Sequence, residues 1–346
     1  MDSIVSDHPL VERLELSWPV EQWQGLTVLV AVSGGADSVA LACALSALAG
    51  RGKADLVLAH FDHQWREESA GDARFVEQLA GQLGCKHVKG QAGQQGFQSE
   101  QEARQQRYAF LLEVARSEGA RFVVTAHTAD DQVETILDRI LRGTGLRGLS
   151  GIPRTRVLDE GIVLLRPLLC CHKVELKEYL DELGQGWCED ESNLDTDFTR
   201  NRIRHQLVPL LKSEFQPSVE ESLLNLAELA GQTQQFLQAH VGQLAESAVT
   251  VARDDQQQKV TIDLSSLASV APLLVREMLV ETWCQLEWPR QAMGMRQWNQ
   301  LLEMIQDETT PSSQTFPGNV RVTRDEKKSG GQLELTRRLE KIESKD

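Results

Sequence analysis

The chain has 346 residues, 41% of them apolar and 25% charged, ordinary for a soluble protein and enough for two or three domains. Its 51 acids against 36 Lys and Arg give a formal charge of −15, which excludes a generic nucleic-acid binder and requires any polyanion partner to be met by a local basic patch. No run of 18 apolar residues offers a membrane span, the acidic start (Asp2, Asp7, Glu12, Glu15) does not resemble a signal peptide, and six scattered cysteines without a C-x-x-C read as reduced thiols of a cytoplasmic protein.

Residues 1–25 read as a short helical lead-in. An apolar, β-branched run, Thr27 to Val32, then predicts a buried strand, and Val39 to Leu48 predicts a helix. Between them lies Ser33-Gly34-Gly35-Ala36-Asp37-Ser38. Gly34 and Gly35 permit backbone angles closed to other residues, and the turn meets a helix N-terminus, where N–H groups and the dipole attract anions. Ser33 and Ser38 add hydroxyl donors. The turn is thus suited to phosphate, yet it is neither a Walker loop nor a G-x-G-x-x-G turn. Asp37 is repulsive toward phosphate unless a cation lies between them, so its presence implies Mg²⁺.

The next strand is predicted over Asp55 to Phe61, followed by helices from about Ser69 to Leu83 and up to Ser117, with a short strand near Lys86 to Val88. Another buried strand, Phe122 to Ala126, precedes a helix from Ala129 to Arg142. Alternation of this kind predicts an α/β fold, a doubly wound parallel sheet. Ligands of such sheets bind beyond the carboxyl ends of the strands, where Ser33, Asp62-His63 and His127 all fall. His127 can hydrogen-bond or transfer a proton, and Asp130 and Asp131 can hold a cation or an amine. The same residues also read as a helix start, with Thr128 as cap and both acids in the first turn.

Gly143 to Arg156 reads as a glycine-rich loop, Ile162 to Leu169 as a last strand and His172 to Leu183 as a helix. From Arg139 to Arg156 there are five arginines and no acid, and Arg200, Arg202 and Arg204 cluster further on. Guanidinium forks match phosphates bidentately. After Pro209 the pattern changes to helical spacing over Glu221 to Val249, Pro272 to Leu286 and Arg290 to Ile305, closing with a hairpin between Thr315 and Leu335. Two domains are expected, 1–214 and a mainly helical 215–346.

The string S-G-G-x-D-S resembles the signature of the PP-loop ATP pyrophosphatases, which split ATP between the α and β phosphates. More narrowly, the EARQQRYAFL, AHTADDQVETILDRILRGTGLRGLSGI, RPLL and EDESNLDTDFTRNRIR segments resemble, in order, the tRNA(Ile)-lysidine synthetase family. That resemblance covers about residues 25–210 and, more loosely, the closing FPGNVRVTR. It implies ATP-dependent adenylation of the wobble cytidine of the CAU-anticodon isoleucine tRNA, then attack by free L-lysine. It implies that Ser33, Gly34, Gly35, Ala36, Asp37 and Ser38 hold ATP, that Asp37 and Asp130 hold Mg²⁺, and that Asp37, His127 and Asp131 are catalytic. Arg104, Arg107, Arg142, Arg147, Arg200 and Arg202 are the expected tRNA or lysine contacts, and a homodimer stays open. Thr128, Phe198 and the FDHQWR segment depart from the family's usual residues. A tRNA thiolase, an amidating synthetase and a non-catalytic RNA-binding protein are the rival readings; the first wants well-placed cysteines, the second leaves the arginine loop without a purpose, and the third makes Asp37 a handicap.

Overall fold

The structure, a computed structural model, describes residues 8–62, 69–92, 100–189, 199–254, 256–307, 309–325 and 331–339. His63, Arg66 and Phe198, singled out in the sequence, lie outside the described residues. Two compact units divide the chain, Met1–Ala230 and Gly231–Asp346.

The first unit is built on a six-stranded sheet. Its strands are β1 (Thr27–Ala31), β2 (Asp55–Asp62), β3 (Lys86–Gln91), β4 (Phe122–Val124), β5 (Thr155–Asp159) and β6 (Ile162–Leu165), in the order β3-β2-β1-β4-β6-β5. The first five positions of that order pair in parallel, and β5 is an antiparallel edge strand. The crossovers are α1 (Ala36–Gly52) after β1, α2 (Ser69–Leu83) after β2, and α3 (Glu100–Ser117) after β3. Residues Val28, Leu29 and Val30 are fully buried, as a central strand covered on both faces requires. One layer of core packs Val39, Leu41, Leu45 and Leu48 of α1 with Trp18 and Trp23 of the lead-in. The two indoles lie 4.9 Å apart and stacked. The opposite face buries Leu29, Val57, Val123 and Leu164 with Leu111 and Val114 of α3.

The order in which strands are added across the sheet reverses at β1: β2 and β3 lie on one side of it, and β4 and β6 on the other. That is the switch point at which the carboxyl ends of neighbouring strands open a crevice. After β4 comes α4 (Ala129–Arg142), and after β6 a 3₁₀ turn, Pro167–Cys170, leads into α5 (Lys173–Leu183). The expected loop from Gly143 holds one helical turn, Leu146–Leu149, and ends in β5, because Arg139 donates to the carbonyls of Gly148 and Gly151 and pins the segment. The expected strand Ile162 to Leu169 is correspondingly shorter, Pro167 ending it.

The second unit packs helices Pro272–Gln285 and Met295–Gln306, together with the end of the long helix Val219–Ala248, around an antiparallel five-stranded sheet. The closing hairpin foreseen in the sequence is strands Val320–Asp325 and Gln332–Arg338, flanked by Ser313–Phe316 on one side and by Gln257–Asp263 and Val249–Arg253 on the other. Strictly alternating burial along Gln257–Asp263 gives the sheet one apolar face.

Candidate active site

At the end of β1 the chain turns through Ser33 and Gly34 into α1. Gly34 has φ +98°, a conformation that side chains disfavour, whereas Gly35 is extended (φ −72°) and serves as the N-cap. Only one of the two glycines therefore uses its conformational freedom. A Cβ on Gly35 would meet nothing nearer than Ser33 Oγ at 3.7 Å, so the protein itself leaves the space above this residue open. The serine hydroxyls brace the turn internally: Ser38 Oγ donates to the Gly35 carbonyl (2.9 Å) and accepts from the Ser33 amide (3.1 Å), and Ser33 Oγ lies 3.2 Å from it. The amides of Ala36 and Asp37 stand in the first helical turn, whose N–H groups have no partner within the helix.

Asp37 faces inward from that turn. Burial is the largest influence on its carboxyl and pushes it up to about 6, despite Lys173 nearby. The Lys173 ammonium lies 3.7 Å from Asp37 and 3.1 Å from Asp131. Lys173 is the first residue of α5, where the dipole disfavours a cation, and the two carboxylates compensate. Its amide donates to Asp130 at 2.9 Å, and His172 Nδ1 lies 3.4 Å from the same oxygen.

Asp131 is the hub. It is the N3 residue of a capping box: Asp131 Oδ2 accepts from the Thr128 amide (2.9 Å) and hydroxyl (3.1 Å), while the Asp131 amide donates back to Thr128. Its other oxygen takes Lys173 and Arg200, the latter at 2.9 Å. Burial alone would raise this carboxyl, but Lys173, Arg200 and the Thr128 amide outweigh it and hold it down near 2. The helix-start reading and the charged-site reading of Asp131 are thus both realised in one side chain. One turn on, Glu134 is 3% exposed and paired with both Arg200 and Arg204. Removing either arginine would leave a buried polar group short of a partner, which is costly.

His127 lies at the end of β4, with Nδ1 3.0 Å from Thr125 Oγ1. Burial and the positive charge of Arg166 hold its conjugate acid down to about 3, so the ring is neutral near pH 7.

The structure brings together Asp37, Asp130, Asp131, His127 and Arg200 from the residues named by sequence. Arg104 and Arg107 lie on α3 around Tyr108, and Arg107 is near enough to act on His127. Arg142 makes an exposed i,i+4 pair with Asp138, Arg147 lies half-buried on the turn Leu146–Leu149, and Arg202 donates to Thr199. Sequence reasoning missed Lys173, Glu134 and Arg166. A lysine opening a helix against its dipole, and RPLL just upstream of it, were the available signals for the first.

The PP-loop domain family matches residues 12–211. Curated tRNA(Ile)-lysidine synthases are similar over much of the chain. That of Rhodopirellula baltica is 34% identical over 344 residues, covering 87% of this chain and 85% of that protein. That of a Nostoc species is 35% identical over 72% of this chain and 70% of its own length. That of Deinococcus deserti is 43% identical over 63% of this chain and 40% of its own length. Among solved structures, the U34-tRNA thiolase NcsA of Methanococcus maripaludis superposes with a TM-score of 0.54 at 14% identity, over 64% of this chain and 77% of that one; this likeness concerns the fold.

Proposed function

The chain belongs to the tRNA(Ile)-lysidine synthase family of PP-loop proteins, and from that premise we propose that it converts the wobble cytidine of the CAU-anticodon isoleucine tRNA to lysidine, using ATP and free L-lysine. The observation that carries the reading is the meeting, at one sheet edge, of an open glycine turn on a helix N-terminus with the Asp37–Lys173–Asp131–Arg200 charge cluster. We assign residues 1–214 to catalysis and 215–346 to gripping tRNA.

Cytosine C2 is a poor electrophile because its oxygen leaves badly. That oxygen attacks the α-phosphorus of ATP, diphosphate departs, and AMP becomes the leaving group. The lysine amine then attacks C2, loses a proton and expels AMP. In this scheme the first-turn amides hold phosphate, and the missing side chain of Gly35 admits it closely. A carboxyl pushed up to about 6 by burial is a poor neighbour for phosphate alone and a good one for a divalent cation. Asp37, with Asp130, would hold Mg²⁺, which binds through one or two carboxylates plus substrate phosphates. When bound, Mg²⁺ neutralises charge developing on those phosphates.

Both oxygens of Asp131 are engaged within the protein. An incoming lysine amine would therefore compete with Lys173 or Arg200 for it, and Asp131 acts by exchanging partners. His127 is neutral at working pH, the form a proton acceptor needs; Arg166 weakens it as a base until nucleotide charge offsets that field. The test is AMP release. It should require ATP, lysine and tRNA together; AMP formed equally well without tRNA, or with ammonia in place of lysine, would contradict the reading.

A further inference from the structure

Beyond the charge cluster, a second group of cations stands without counter-charge among the described residues. Tyr108 on α3 is surrounded by guanidiniums: the central carbons of Arg104, Arg107 and Arg156 lie 5.4, 5.6 and 5.8 Å from its ring centroid. Arg166, at the end of β6, acts on the same phenol. Among the described residues none of these four arginines forms an ion pair with a carboxylate. Two buried donors in the group, Arg107 Nε and Arg166 Nε, have no hydrogen-bond partner, while the same two guanidiniums crowd the Tyr108 hydroxyl. Arg166 is 2% exposed. Arg166 spends one terminal nitrogen on the carbonyl of Pro153.

Four like charges around one neutral ring cost free energy, and unpaired buried donors add to that cost. Such an arrangement is favourable once an anion occupies it. Phosphate suits it better than a carboxylate, since forks from several directions match three or four oxygens. ATP phosphates have a separate turn after β1. Arg104 and Arg156 are exposed, so the group is open on one side to a long ligand. Arg166 and Arg107 also depress the His127 imidazolium, which puts the group beside the reacting edge.

We propose that Arg104, Arg107, Arg156 and Arg166 form a phosphodiester pocket that anchors the RNA backbone next to the reacting base. The proposal rests on the tRNA-modifying reading above. Its test leaves chemistry out: the affinity of the full chain for an anticodon stem-loop RNA, measured across a KCl series without ATP or lysine, in wild type, R104Q/R156Q and R104K/R156K. Both residues are exposed, and circular dichroism checks the fold. R104Q/R156Q should bind about tenfold more weakly, with a log–log salt slope lower by roughly one to two units. R104K/R156K should keep most of the slope, because counterion release follows charge. Stabilisation by ATP against thermal unfolding should be the same in all three. Unchanged RNA affinity and slope in R104Q/R156Q would overturn the proposal. So would a loss of ATP or lysine binding with RNA binding intact, which would make this a pocket for a small anion. Neither result bears on AMP release, which tests the reaction itself.

Discussion

Asp37 carries the most consequence for its size. Its carboxyl is raised to about 6 in the folded protein against an ordinary 3.8. A raised carboxyl contributes stability that is fully present below the unfolded value and is lost as pH rises through the folded one, here between about pH 4 and 6. Above pH 6 the metal-free protein thus holds an unfavourable buried charge. Asp37→Asn should remove it, so this variant should gain stability relative to wild type as pH rises from 5 to 8, on the order of 2 kcal/mol at the upper end, while AMP formation is lost. Thermal unfolding in EDTA at several pH values, beside AMP release, checks both. A variant that forms AMP normally at ordinary Mg²⁺ would remove the metal role. Asp131 has the opposite sign: held near 2, it contributes stability above about pH 4 that is lost toward pH 2. Asp37 was legible because an acid inside a phosphate turn is anomalous. Lys173 and Glu134 were not, since their partners lie far away in sequence and a Lys or Glu in a helix is unremarkable until the fold brings those partners together.

Among the elements, the β1–α1 turn decides whether the site forms. Gly34 is held at φ +98°, its carbonyl accepts from the Cys188 amide at 2.9 Å, and an added Cβ would stand 3.4 Å from Cys188 Sγ. That spacing is ordinary, so the cost of Gly34→Ala is backbone strain, about 1–3 kcal/mol. Unfolding in denaturant should show that loss, and ATP binding should weaken at least tenfold as the turn relaxes. Retention of both stability and ATP affinity would mean that the turn adapts freely and is not preorganised. The parallel sheet was legible because its strands are buried on both faces and read as unbroken apolar runs, such as Thr27 to Val32. Strands Val249–Arg253 and Ser313–Phe316 were not. The first is almost wholly exposed and the second buries only Phe316, so neither carries an alternating signal. Their pairing is set by the neighbouring strands of the second unit.

The molecule as a whole is acidic at −15, yet the proposed substrate is a polyanion. Local charge must therefore supply the grip. The five arginines from Arg139 to Arg156 do not act as one patch. Arg139 holds loop carbonyls, Arg142 pairs with Asp138 and Arg156 faces Tyr108. Arg154 is exposed and Arg147 half-buried on the turn Leu146–Leu149, and both are proposed as outer phosphate contacts. Charge removal at both should weaken tRNA binding and flatten its salt dependence, by roughly one unit for each phosphate no longer neutralised. An unchanged slope would assign them to the solvated surface. The central claim is tested most directly by incubating the protein with ATP, each amino acid in turn and total tRNA, then digesting the RNA and weighing its nucleosides. The account predicts a cytidine heavier by lysine less one water, with lysine alone among the amino acids and only in isoleucine tRNA. A cytidine left unchanged, or a sulfur-sized gain on another nucleoside, would contradict it.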